Sequence, residues 1–452
     1  MPTPRRLLTL CLACAIAAPA LPQTLARPGW VGSGLNTDVW WKHPVVYQVN
    51  PANFSPTDGS SGLHGVIQRL DYIHSLGADG LLLTSIQPDA SHAQSIDPAY
   101  GTLDDLDELI HEASRRNVRV LLDLDPHIPA ADLPSVARFW LNRGIAGFHI
   151  IGATPEAHAQ AAELRKAAGS YLGQRVLIGD VDATLPSSPQ QRANKASDTQ
   201  TTQLLLDSSL GAVTPLNPAA IRSAIESTEN IALAGHAIPL IASDGPSFQR
   251  SMSRYADGQH NLAIAKLLAT ILFTTRAQPL LYSGQELGVT AAQSSDSTPV
   301  GPAIVWDAPP PPPRGKPAPP QEPEAANAPP NAALEDADPN SLLNWYRKLI
   351  ELHHSNATLN SGEYLTVNRD DQNVLVIIRK PKVVSPTSPV LVILCNLSGT
   401  PAQLSIKADI TKLHLRGSFL RTVLRSDNGM GTMHLESMTL APYAAYIGAM
   451  RF

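Results

Sequence analysis

Between residues 45 and 283, eight short apolar runs with strand character alternate with stretches that carry helical periodicity. The runs lie at 45–50, 80–85, 118–124, 147–151, 176–181, 203–207, 238–243 and 279–283, and the helical stretches at 65–76, 103–116, 133–143, 155–172, 218–226 and 261–274. Strands that are apolar throughout and separated by a helix-length segment must pair in parallel, because only a crossover connection can return the chain to the same edge. Eight such units in series predict an α/β fold, a (β/α)8 TIM barrel spanning residues 30–307.

The chain changes character after the eighth run. Residues 308–338 form a Pro-rich insertion or linker, of which 308–330 hold a run of five prolines and little that could pack and read as an extended surface stretch. Residues 339–356 then place Leu342, Leu343, Tyr346, Leu349, Ile350 and Leu352 near one helical face, the expected last barrel helix. Beyond it, runs at 364–367, 374–379, 390–396, 402–406 and 444–447 predict a small antiparallel, β-sandwich-like domain over 357–452.

The first 26 residues read as an export signal, with Arg5 and Arg6 ahead of the apolar run 7–20 and small residues at Ala18, Ala20 and Ala26. That run is shorter than the roughly 20 apolar residues a membrane span requires, so no span is expected once the signal is removed. The expected location is secreted or periplasmic. Cys11 and Cys14 lie within the signal, leaving Cys395 without an intrachain disulfide partner. With 43% hydrophobic residues, a formal charge of -5 and a pI near 6.3, the chain is globular and lacks the basic surface that nucleic acid would require. A neutral ligand fits better.

Five segments occur in the order found in one enzyme family. They are Trp40-Trp41-Lys42-His43-Pro44-Val45, Gly65-Val66-Ile67-Gln68-Arg69-Leu70, Tyr100-Gly101-Thr102-Leu103-Asp104, Pro279-Leu280-Leu281-Tyr282-Ser283-Gly284-Gln285-Glu286 and Asp338-Pro339-Asn340-Ser341-Leu342-Leu343-Asn344-Trp345. Over nearly its whole length the chain resembles the α-amylase family of glycoside hydrolases (family 13), its oligosaccharide-cleaving, α-glucosidase-like branch above all. The resemblance implies a site at the C-terminal ends of the barrel strands. Retaining hydrolysis there needs a carboxylate nucleophile and a protonated carboxylic acid about 5–5.5 Å apart across the anomeric carbon.

Carried over position by position, the implied site is damaged. The fourth-strand motif of the family, Gly-Phe-Arg-x-Asp, stands here as Gly147-Phe148-His149-Ile150-Ile151, so the nucleophile position is Ile151. The acid position is Asp180, with Asp in place of the family's Glu. Of the substrate-binding positions, Asp123 and Asp244 keep the family identity, while His127 and His149 replace an Asn and an Arg. The family's substantial insertion after strand three is largely missing, since about 20 residues separate Pro126 from Gly147. No cofactor is implied, and no set of carboxylates and histidines has a recognisable metal spacing.

Plainer roles stand beside these. Ile151 is expected as an inward core residue, His149 and His127 as hydrogen-bonded or rim residues, and Trp40 and Trp41 as packing at the barrel base. Asp123, Asp180 and Asp244 are framework carboxylates or retained ligands. Three functions are compatible with this reading: a non-hydrolytic relative that at most binds an α-glucan or oligosaccharide; an active α-glucoside hydrolase or transglycosidase with a relocated nucleophile, Asp182 or Asp125; and a scaffold for another exported protein, as in the non-enzymatic transport-complex subunits to which the resemblance extends.

Overall fold

The computed structural model describes residues 39–54, 62–84, 86–171, 174–181, 202–234, 237–290, 304–307, 330–427 and 429–451. The expected signal, Asp182 and the proline run lie outside them. Eight parallel strands close a barrel in sequence order: β1 (Val46–Val49), β2 (Gly80–Leu83), β3 (Arg119–Leu124), β4 (Gly147–Ile150), β5 (Val176–Asp180), β6 (Leu204–Asp207), β7 (Ile238–Ile241) and β8 (Gln278–Tyr282). All eight coincide with the runs expected from the sequence, seven of them shortened at one or both ends and β8 shifted one residue toward the N-terminus. Val46, Leu82, Leu121, Val176, Ile178, Leu204, Leu206, Leu240 and Leu280 fill the interior, with Trp40 and Trp41 packed against them. Trp40 is held there by its indole N–H, which donates to the Gln174 carbonyl at 3.1 Å, and Arg119 stacks on its ring.

The helices 103–115, 133–143 and 261–274 follow their apolar periodicity. Thr102 opens the first of them with a capping box, its hydroxyl accepting from the Asp105 N–H while the Asp105 carboxylate accepts from the Thr102 N–H. Two helices depart from expectation. The stretch 65–76 is two helices, Gly62–Gln68 and Leu70–Leu76, parted at Arg69, whose guanidinium lies over the Trp306 ring. The helix expected at 218–226 runs on as Pro218–Ala234. Its second half was hidden because Ser227, Thr228 and Glu229 are buried polar residues that interrupt the apolar period. The expected linker 308–338 ends in a short helix, Ala332–Ala337, whose start is pinned by a bridge between Val305 and Asn331.

The C-terminal region forms a six-stranded antiparallel sheet in the order β14-β13-β16-β11-β10-β9, with a separate pair of strands, β12 and β15. The strands are β9 (Glu363–Val367), β10 (Val374–Lys380), β11 (Leu391–Asn396), β12 (Ala402–Leu404), β13 (Phe419–Arg425), β14 (Met433–His434), β15 (Met438–Leu440) and β16 (Ala445–Arg451). Alternation divides the central strands between two cores. Leu375, Ile377, Ile393, Cys395 and Ile447 face the barrel, while Val374, Val376, Ile378, Val392 and Leu394 face Leu404, Met438 and Leu440 of the strand pair. Strand β13 escaped the sequence reading because arginines interrupt its apolar residues.

Candidate functional site

The ends of β3, β4 and β5 bring three of the expected site residues together. Register pairs Asp123 with His149 and His149 with Ile178, so Asp180, two residues beyond Ile178, points to the same side. His149 lies between two carboxylates: its Nδ1 is 2.7 Å from Asp123 Oδ1 and its Nε2 is 3.0 Å from Asp180 Oδ1. The second Asp180 oxygen accepts the Gly152 N–H at 2.7 Å. Gly152 has φ of 89° with nothing within 4 Å of a Cβ, so glycine is favoured there by backbone conformation, not by lack of space. The buried Gln48 side chain, from β1, lies beside Asp123 and favours its ionised form.

The electrostatics of this knot follow from burial and pairing. Burial opposes the His149 imidazolium, but Asp180 and Asp123 outweigh it and raise its pKa to about 10. For Asp180, burial pushes up, yet the His149 charge, its hydrogen bond and the Gly152 N–H hold the carboxyl below the usual range. Asp123 is the more deeply buried carboxylate, and burial pushes it up against the pull of His149. At neutral pH the Asp180 carboxylate is ionised with both oxygens occupied. A general acid must instead be protonated and free to donate.

The other expected residues lie apart from the knot. Ile151, expected in the core, stands just beyond the end of β4 and is only half-buried. It is the strand's Phe148 and Ile150 that enter the core. His127 is 84% exposed, with its backbone N–H and Nδ1 both on Asp125 Oδ1 at 2.8 and 2.9 Å, so one turn occupies both residues. Asp244 is fully buried at the start of the helix Ser251–Tyr255 and accepts the Ser251 N–H at 3.0 Å. Burial pushes its carboxyl up, opposed by Ser251 and Arg250.

Sequence reasoning missed a second polar lock. Tyr47 of β1 and Tyr72 both donate to Glu286 Oε1, at 2.8 and 2.7 Å, and the Gly284 N–H donates to Oε2 at 3.0 Å. Glu286 belongs to a segment that carried the resemblance, but nothing local to it announces two tyrosine partners 214 and 239 residues away. Arg250 closes the β8 end by stacking on Tyr282, 4.3 Å from the ring centre, and donating to the Ser283 carbonyl. Among the described residues, the cavity beside Asp180 measures about 10 Å3 and is lined by Gly152, His158, Gly179, Thr202 and Leu205. That admits about one water, whereas pockets for small organic ligands run to roughly 300 Å3 or more. No group of three His, Cys, Asp or Glu side chains is placed to hold a metal among the described residues.

Residues 48–127 match the model of the α-amylase catalytic domain. The trehalose-6-phosphate hydrolase of Escherichia coli (strain K12) is 45% identical over 95 residues, 19% of this chain and 17% of that enzyme. A longer and weaker match joins the chain to the amino acid transporter heavy chain SLC3A2 of Oryctolagus cuniculus, 24% identical over 350 residues, 72% of this chain and 61% of that protein. The chain thus spans less than two thirds of either relative. The fold of the isomaltulose synthase from Klebsiella sp. LX3 superposes with a TM-score of 0.72 at 20% identity, covering 92% of this chain and all of that one. The sequence that runs from its first barrel strand to the end of its third is thus similar to the α-amylase catalytic domain of glycoside hydrolase family 13, and the remainder shares the fold of solved enzymes that carry it.

Proposed function

We propose that this is an exported member of the α-amylase family that does not hydrolyse glycosides and keeps at most a binding interaction with an α-glucan or oligosaccharide. One observation carries the reading: Asp180, which holds the family's acid position, is ionised and bound on both oxygens by His149 and Gly152, while the nucleophile position is Ile151. Isoleucine neither attacks the anomeric carbon nor stabilises positive charge there. Losing such a group typically removes a factor of about 10⁴ or more in rate. Asp125, one of the carboxylates considered as a relocated nucleophile, has its Oδ1 engaged in the turn with His127. Export rests on the charged and apolar pattern of the first 26 residues.

The test is hydrolysis of a panel of α-linked glucosides by the purified mature protein, with binding of the same sugars followed in parallel. The expected result is no turnover. Turnover that disappears in Asp180→Asn would overturn the proposal, and turnover that survives in Asp180→Asn points to a contaminant. Binding without turnover supports a retained sugar site.

A second reading has its own support. The match to a transporter heavy chain extends over 72% of this chain, while the match to the hydrolase covers 19%. In this reading the barrel holds another exported protein and binds no sugar. Stoichiometric co-purification with one partner, together with no measurable glucan binding, supports it.

A further inference from the structure

The junction between the barrel and the C-terminal sheet gathers buried polar atoms that lack partners. Arg222 and Glu229 lie two turns apart on one face of the helix Pro218–Ala234. Across from them, Tyr364 of β9 and Arg379 of β10 are directly paired in register. Arg379 donates from its two terminal nitrogens to the carbonyls of Thr274, Thr275, Leu359 and Gly362, leaving its Nε buried without a partner. Arg222 donates from Nη1 to the Arg369 carbonyl at 2.9 Å, and its Nε and Nη2 are unpartnered. The Tyr364 hydroxyl is buried and unpartnered as well. The orphaned acceptors are Glu229 Oε2, which lies 3.7 Å from Arg276 Nε without a hydrogen bond, and Asn360 Oδ1, in the turn whose Leu359 and Gly362 carbonyls hold Arg379.

This inventory is lopsided. Three guanidinium nitrogens and one hydroxyl lack acceptors, against one unused carboxylate oxygen and one unused amide oxygen. The surrounding charge leans the same way, with Arg222, Arg276, Arg369 and Arg379 against Glu226, Glu229 and Asp370. Thr366 of β9, two residues from Tyr364, hydrogen-bonds Glu226, which lies one turn from both Arg222 and Glu229, so the strand that carries Tyr364 runs against this face of the helix. A buried donor without an acceptor costs about 1–3 kcal/mol in general, so native structures fill such places with water or an ion. A water accepts two hydrogen bonds and carries no charge, so it satisfies part of the donor set and leaves the excess positive charge in place.

We propose that this junction binds a small inorganic anion of chloride size, held by Arg222, Tyr364 and Arg379 and tying the C-terminal sheet to the barrel helix. Such a ligand takes up the spare donors and offsets one guanidinium.

The test uses the full mature chain. Crystals soaked in sodium bromide are expected to show an anomalous peak within hydrogen-bonding distance of Arg222 and Tyr364. In solution, the Tm is expected to rise on the order of 2 °C when sodium gluconate is exchanged for sodium chloride at constant ionic strength. In Tyr364→Phe and Arg222→Leu that increment shrinks or vanishes. If Arg222→Leu does not fold, Tyr364→Phe and the diffraction experiment decide. A junction occupied by water with no bromide signal, or equal Tm in the two salts, overturns the proposal.

Discussion

Two buried cations sit at different places in this molecule, and their pKa values converge from opposite sides. His149, at the C-terminal end of β4, is raised to about 10, because two carboxylates overcome the burial that opposes its charge. Arg379, between the C-terminal sheet and the residues leading into β8, is lowered to about 10 by burial, which Glu229 only partly offsets. Four carbonyls surround its terminal nitrogens, but none carries a full charge. Carbonyl dipoles satisfy hydrogen bonds without replacing the hydration of a charge, whereas a carboxylate on each side of an imidazole does both. The first arrangement fastens domains together. The second ties up Asp123, His149 and Asp180, three of the residues expected from the sequence at a site.

The largest effect is expected where the loss leaves most partners behind. Arg379→Met orphans four carbonyls at the domain junction and is expected to cost about 3–5 kcal/mol in denaturant unfolding. His149→Gln keeps one hydrogen bond but removes the charge between Asp123 and Asp180, for an expected loss of about 2–4 kcal/mol. If the two variants rank the other way, the ion pair is the stronger fastening and the comparison fails.

The pH dependence separates the two cations. His149 has a folded pKa above its unfolded value of about 6.5, so its contribution is complete below that value and is lost as pH rises toward about 10. Arg379 stays charged in both states over this range and adds no slope. Stability measured from pH 7 to 9 is therefore expected to fall in the unmodified protein and in Arg379→Met, and to stay nearly flat in His149→Gln. A slope that persists in His149→Gln places its origin elsewhere.

Smaller effects sharpen the picture of the site. Asp180→Asn keeps a side chain of the same shape, can still accept the Gly152 N–H, and is expected to cost about 1–2 kcal/mol. Because the depressed Asp180 pKa stabilises the fold above its unfolded value, this variant also loses less stability than the parent as pH falls below about 4. Ile151→Asp is expected to change stability by less than about 1 kcal/mol, since the residue is half-buried, and to yield no hydrolysis while Asp180 stays bound to His149. Hydrolysis by this single variant shows that the acid is more available than its hydrogen bonds imply.

The sequence by itself determined the barrel, the strand ends on which a site would stand, and the substitutions at those ends. Run length, strand-helix alternation and residue identity are local properties, and they survive in the chain without knowledge of neighbours. Only the tertiary structure decided what the remaining polar residues do. Asp123, His149 and Asp180 form one knot because parallel register sets three adjacent strands side by side, a relation that no spacing of 26 or 31 residues announces. Asp244 keeps the family's identity but is spent on a helix start, and Ile151 lies outside the core because β4 ends one residue earlier. The buried polar residues of the helix Pro218–Ala234 were illegible for the same reason. Thr228 donates to Asp207 at the end of β6, Glu229 accepts the Arg276 N–H and Arg222 donates to the Arg369 carbonyl, partners 21, 47 and 147 residues away, and a polar side chain reveals its role only through the atoms it meets.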